Sequence, residues 1–149
     1  MRLRKAERRF NLATRDYGRL ASFRQTLRGF LRFSDLAAAR LGLTGQHYQA
    51  MLIVRASPEE ERPTIADLAG QLLIKHNSAV ELVDRLVRED LVARESSLAD
   101  RRKVHLRLTE HGREVLAQLA AVHHRELKRI GPLLKRFFAE LSRPEAPRG

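Results

Sequence analysis

Apolar residues recur along this chain with two different periods, and the change of period marks its parts. Across residues 17–41, Leu20, Phe23, Leu27, Phe30, Leu31 and Leu36 return at three- and four-residue steps. They form one face of a long amphipathic helix, and Gly42 supplies its stop. Thr44 caps a second helix over residues 46–56, with Met51, Leu52 and Val54 on its apolar side, and this helix ends before Pro58. An acidic loop with prolines fills residues 57–63. Thr64 caps a third helix of about ten residues, with Asp67 at its third position as a shortened capping box. Ile65, Leu68, Ala69 and Leu72 make its buried stripe. After a turn over residues 73–76, Asn77 or Ser78 caps a fourth helix, in which Val80, Val83, Leu86 and Val87 face inward until it stops near Asp90.

The period then drops to two. Over residues 91–109, Val92 and Arg94 lie in one short alternating arm and Val104, Leu106 and Leu108 in another, with a polar tip over residues 96–102. Two strands alone are marginal in water, so this hairpin must lean on the helices. From Thr109 the helical period returns. Glu110 and Glu114 sit in the first turns, where the helix dipole favours acid, and Val115, Leu116, Leu119, Val122 and Leu127 carry the stripe to Ile130. Gly131 and Pro132 are expected to break the helix. Leu133, Leu134, Phe137, Phe138 and Leu141 then make a short last helix that needs a partner to pack on, plausibly the first helix of a second subunit. The expected fold is mainly α with a small β-hairpin.

Length and charge narrow the class. A chain of 149 residues with 43% hydrophobic content suits one domain. Its net charge of +11 favours nucleic acid or an anionic surface as partner. The charge is uneven: residues 1–40 hold 11 basic and 3 acidic groups, residues 41–90 hold 5 and 8, and residues 91–149 hold 13 and 7. Attraction to a polyanion must therefore come from the two ends and the hairpin. Residues 1–16 and 142–149 read as flexible ends. No apolar run approaches the roughly 18 residues of a membrane span, and the basic start lacks the apolar stretch of a signal peptide, so no membrane association is expected and a cytoplasmic location is.

Several chemistries find no support. The chain has no cysteine, which excludes disulfides and thiolate sites. There is no Gly-rich phosphate loop, no H-E-x-x-H and no serine elbow, so no enzyme is expected, and no cofactor. His123 and His124 are adjacent on one helix and cannot share a face, while His47, His105 and His111 are scattered, so no metal site is expected either.

Two short helices joined by a tight turn and followed at once by a basic hairpin have the form of a winged helix-turn-helix, here residues 43–108. Three stretches carry more: Thr64-Ile-Ala-Asp-Leu-Ala-Gly, Val83-Asp-Arg-Leu-Val-Arg-Glu-Asp-Leu-Val-Ala-Arg, and Asp100-Arg-Arg-Lys-Val-His-Leu-Arg-Leu-Thr-Glu-His-Gly. Together with Leu43, Thr44 and Gln49, their order and spacing resemble the MarR family of bacterial transcriptional regulators. The resemblance implies a homodimer held by its N- and C-terminal helices, here residues 17–42 and 109–141, with two winged regions straddling a pseudopalindromic double-stranded DNA operator. It implies that the helix starting near Asn77 enters the major groove, presenting Lys75, His76, Asn77, Ser78 and Glu81, with Arg85 further along. Asparagine and serine can read base edges or phosphates. Ser78 with Glu81 also has the S-x-x-E form of a capping box, which needs no DNA. At the hairpin tip the resemblance matches Asp100, Arg101, Arg102 and Lys103 to the segment where one arginine enters the minor groove and the aspartate steadies the tip. A planar guanidinium suits that narrow, strongly negative groove. Which arginine enters stays open, as does the plainer reading of a solvated turn.

Two positions depart from the family pattern. Asp90 stands where glycine often ends the recognition helix, and Glu81 places a carboxylate on a face more often neutral or basic. The implied function is a sequence-specific regulator, a repressor released by a small-molecule effector, with Phe23, Phe30, His47, Tyr48 and Met51 as pocket walls chosen from helix faces alone. The alternative is a sequence-tolerant architectural DNA-binding protein with no effector.

Overall fold

A left-handed residue ends each of the first, third and fourth helices, and these stops set the path of the chain. In the computed structural model, which describes residues 9–10, 12–97, 99–100 and 102–143, the elements are α1 (Thr14–Ala39), α2 (Gly45–Ala56), a single 3-10 turn (Glu59–Glu61), α3 (Ile65–Leu72), α4 (His76–Arg88), β1 (Val92–Ser96), β2 (Val104–Leu108) and α5 (Glu110–Leu141). Gly42, Leu73 and Asp90 have φ of 70°, 56° and 54°. At each, the next amide reaches back to the last helical turn: Leu43 N–H to Ala38 O, Ile74 N–H to Ala69 O, and Leu91 N–H to Leu86 O. These are Schellman stops, which favour glycine because a side chain is strained there. Asp90 tolerates the position, as its short polar side chain allows. Leu73 does not have that excuse, and at 92% exposure no packing offsets its strain.

Two helix starts are built as the sequence predicts. Thr44 accepts the His47 N–H, and Thr64 accepts the Asp67 N–H, while the side chains of His47 and Asp67 accept the N–H of their cap residues. The fourth helix differs. It begins at His76 with Lys75 as its cap residue and no side-chain cap bond. Neither Asn77 nor Ser78 is the cap, because both already lie inside the first turn, and Ser78 with Glu81 forms no capping box. The first helix starts at Thr14 rather than Tyr17, its first turn closed by Asp16, whose carboxylate accepts the Ala13 N–H at 2.7 Å.

The expected break at residues 131–132 does not occur. Pro132 lies inside α5, which runs unbroken to Leu141. A proline in a helix interior costs about 3 kcal/mol by removing one backbone bond and crowding the turn before it. Packing on the far side offsets it: Phe137 stacks on Phe23 with ring centroids 4.6 Å apart, and Phe138 meets the same ring edge-on.

The chain divides into two compact units. One holds the described residues through Arg32 and those from Arg125 onward, where the Phe23 cluster lies. The other, Phe33–His124, contains the helix-turn-helix and the hairpin. Its core centres on Met51, Leu68, Val83, Leu86, Val92 and Leu106. The strands pair antiparallel with Val92 opposite Leu108 and Arg94 opposite Leu106. β2 packs on α2 and α3, and β1 on α4. Leu106 N–H also donates to Pro63 O at 2.8 Å, so the loop before α3 borders the hairpin almost as a third strand. Among the described residues no helix is long and apolar enough to cross a membrane.

The hairpin is joined tightly to the start of α5. Leu91 O accepts the Thr109 N–H at 3.1 Å, Thr109 Oγ1 donates to Asp90 O, and Gly112 N–H donates to Thr109 Oγ1 at 2.9 Å. A Cβ at position 112 would lie 1.9 Å from Leu91 O. Backbone cannot yield there as a side chain would. Gly112→Ala is therefore expected to lower stability by about 2 kcal/mol or more, measured as a shift of the urea unfolding midpoint; an unchanged midpoint would show that the junction is loose.

Candidate nucleic-acid interface

The start of α4 combines exposure, charge and free donors. Lys75, His76, Asn77 and Ser78 are all exposed, and Ala79 immediately after them is buried, so the first turn stands on the core with its polar residues outward. No side chain caps this helix. Its first N–H groups therefore point outward at the positive end of the helix dipole, a setting that attracts phosphate. Glu81 is exposed one turn on. Arg85 is placed differently: its Nε donates to Glu89 at 3.1 Å and a terminal nitrogen donates to Gly42 O at 3.1 Å. That guanidinium braces α4 against the turn after α1.

Half of the acidic residues over positions 41–90 are tied down. Asp84 pairs with Arg94, Glu89 with Arg85, and Glu59 with Arg62. Asp67 is held in the α3 cap, where hydrogen bonds from the Thr64 backbone and hydroxyl push its carboxyl below the usual carboxylate range. Glu81 makes no ion pair among the described residues. The four tied carboxylates brace the fold, and Lys75 and His76 make no ion pair among the described residues.

The wing tip is held by its own polar side chains. Ser97 N–H donates to Lys103 O and Lys103 N–H to Asp100 O, each at 3.0 Å. Ser97 Oγ accepts the N–H groups of Ala99 and Asp100, and Asp100 Oδ1 accepts the Arg102 N–H at 3.0 Å. Asp100 thus steadies the tip through backbone. Arg102 and Lys103 are exposed beyond this turn. Arg101 lies outside the described residues.

Below the tip, an ion-pair girdle fixes the arms. Glu95 on β1 takes Arg62 from the loop before α3 at 2.6 Å and Arg107 from β2 on its other oxygen. His105 Nδ1 donates to Arg62 O at 2.7 Å. The sequence reading missed this girdle, although the alternating charges at 94, 95 and 107 were a visible signal.

The residues named as pocket walls are divided between the two units. Phe23 and Phe30 belong to one unit, and His47, Tyr48 and Met51 to the other. Met51 is wholly buried, and Tyr48 stacks on His123 with centroids 3.9 Å apart. His47 is half-buried and serves the α2 cap.

The comparisons accord with this geometry. The model of the MarR family matches residues 41–103. Through this region the chain is similar to the MarR family. Among solved structures it is similar to AbsC, a MarR family transcriptional regulator from Streptomyces coelicolor, at 25% identity and TM-score 0.67 over 90% of this chain and 85% of that one. It is also similar to MarR from E. coli at 20% identity and TM-score 0.66, covering 85% and 96% of the two chains. A MepR mutant from S. aureus, solved bound to an oligodeoxyribonucleotide, matches at 17% identity and TM-score 0.65, covering 88% and 100%. The last two speak for the fold alone. No curated protein sequence matches the chain significantly. The fold is that of a winged helix, with α4 as the second helix of its helix-turn-helix and the β1–β2 hairpin as its wing.

His47 makes the region sensitive to acid. Its Nδ1 accepts the Thr44 N–H at 3.0 Å, so the ring proton sits on Nε2, and a second proton on Nδ1 breaks the cap. Burial, then the nearby Arg85 charge, hold its pKa below that of ordinary histidine against a smaller opposing effect of Glu89. The unfolded chain therefore takes up the proton first. Stability present above the unfolded pKa of about 6.5 is lost as pH falls from there through the folded pKa. His47→Gln keeps a Thr-x-x-Gln capping box that does not titrate. In urea unfolding it should lose less stability than wild type between about pH 7 and pH 5; an equal loss would remove His47 as a cause.

Proposed function

We propose that this chain is a sequence-specific DNA-binding transcriptional regulator that works as a homodimer on a pseudopalindromic duplex operator, as a repressor that a small-molecule effector releases. The uncapped, exposed start of α4 is the observation that carries the reading, because it offers Lys75, His76, Asn77 and Ser78 to a groove with helix N–H donors beside them. The tied wing tip supports it by holding Arg102 and Lys103 clear of the core, with Arg101 between Asp100 and Arg102 in the chain. Glu81 accounts for base preference rather than attraction, since a carboxylate can accept from a cytosine amino group but repels phosphate.

Dimerisation is supported by apolar surface that one chain leaves uncovered. Leu20, Leu27 and Leu31 on α1 and Leu133, Phe138 and Leu141 on α5 are exposed within the same unit. Such a concentration marks an interaction surface. For the effector, Phe23 with Phe137 and Leu134 lines a cavity of about 530 Å³ that also takes Arg15, Arg19 and Arg136. That size is within the range of small-molecule sites. The regulator would act in the bacterial cytoplasm.

Selection of bound sites from random duplexes followed by footprinting tests the reading. Two protected half-sites about one helical turn apart are expected, whereas equal affinity for unrelated duplexes would overturn it. On the selected site, Arg101→Ala with Arg102→Ala should cost about a hundredfold or more in affinity while the dimer persists, read by fluorescence anisotropy and sedimentation. Asn77→Ala should cost about 1–3 kcal/mol of discrimination between sites. Because Asn77 is not the cap, its urea midpoint should stay within about 0.5 kcal/mol of wild type.

A further inference from the structure

A second site lies behind the wing, where arginines gather round a cavity that the DNA-facing residues do not use. Arg55 at the end of α2, Arg62 before α3, Arg107 on β2 and Arg113 in the first turns of α5 line a space of about 230 Å³. All belong to the Phe33–His124 unit. Glu59 shares the lining, and Glu95 binds two of the arginines from outside it. Four guanidiniums thus face two carboxylates, leaving an excess of two positive charges.

Their donors are far from used. Arg55 makes no hydrogen bond or ion pair among the described residues. Arg107 gives Glu95 only its Nε, and Arg113 makes one long bond, 3.4 Å, to Leu108 O. Planar guanidinium forks with free terminal nitrogens match the oxygens of phosphoryl or carboxylate groups. Apolar lining is confined to Val54 and Leu108, and the volume falls below that of drug-sized sites, which disfavours a large aromatic ligand.

We infer that this cavity binds a compact polyanion, of the size and charge of pyrophosphate or a small polycarboxylate, and that its occupancy is coupled to the wing. Arg62 and Arg107 are the two partners of Glu95, and Arg62 O also holds His105. An anion that takes these guanidiniums competes with Glu95 and loosens β1 from both. The site stands apart from the DNA-binding reading; its coupling to the wing rests on that reading.

Calorimetry with pyrophosphate at fixed ionic strength tests the site on the full-length chain. One saturable event per chain is expected in wild type. In Arg55→Gln with Arg113→Gln, affinity should fall about tenfold or more, with the melting temperature kept near wild type as a check on folding. Arg125→Gln with Lys128→Gln, which removes as much charge outside the cavity, should leave binding unchanged. No saturable event, or equal loss in both double variants, overturns the site.

A second arm uses the selected duplex. Without pyrophosphate the Arg55, Arg113 variant should bind it as wild type does. With pyrophosphate, wild type should lose about fivefold or more in duplex affinity and the variant should not. Weaker duplex binding by the variant without pyrophosphate would instead assign the cavity to a backbone phosphate of the DNA and overturn the inference. Unchanged duplex affinity in wild type on adding pyrophosphate overturns the coupling. If wild type binds no duplex at all, the DNA-binding reading fails, and calorimetry still decides the site.

Discussion

A two-stranded sheet has to bury one face or dissolve, and the winged-helix unit is arranged around meeting that need. Val92, Leu106 and Leu108 turn inward onto α2, α3 and α4, where Met51, Leu68 and Leu86 complete the core. The outward positions are then free to be charged, and Glu95 and Arg107 fill them, joined by Arg62 from the loop before α3, while Arg94, on the inner face opposite Leu106, reaches Asp84 of α4. Exposed ion pairs contribute little each. Here they act mainly on geometry, fixing where the arms point rather than whether they fold.

The same constraint separates two kinds of charge. Half the carboxylates of the middle region are matched to an arginine or a helix cap, and these orient elements. Lys75 at the start of α4 and Arg102 and Lys103 at the wing tip make no ion pair among the described residues. A count of charges by segment registers the first group as a deficit of attraction. Its spatial effect is smaller, because a paired carboxylate contributes a short-ranged dipole rather than a full negative charge.

Periodicity made most elements legible, since the helical stripes and the alternating arms reflect burial directly. Boundaries fixed by backbone bonds were less so. Thr44 and Thr64 announce their helices because their side chains do the capping. Lys75 does not, so the sequence places the start of α4 two or three residues late. Pro132 misled in the opposite direction, as a local rule overruled by the packing of Phe137 on Phe23. Leu73 carries no turn signal at all, yet it adopts the left-handed conformation. At the site, exposed residues near α4 and the wing could be read from motif order. The cavity of arginines and the Arg62 arm of the Glu95 girdle could not, because they join segments far apart in the chain, 33 positions for Arg62 and Glu95, that only the fold brings together.

The junction at Leu91, Thr109 and Gly112 has a mechanical meaning for the wing. The backbones of residues 90–91 and 109–112 interlock there, bridged by the Thr109 hydroxyl, with no room for a side chain at position 112. Such a joint behaves as a weld rather than a hinge. A tilt of the first turn of α5 is not absorbed at the root of the hairpin; it is carried along β1 and β2, and the 5-residue arms lengthen it toward the tip. The wing's aim is in this sense a readout of the direction in which α5 begins.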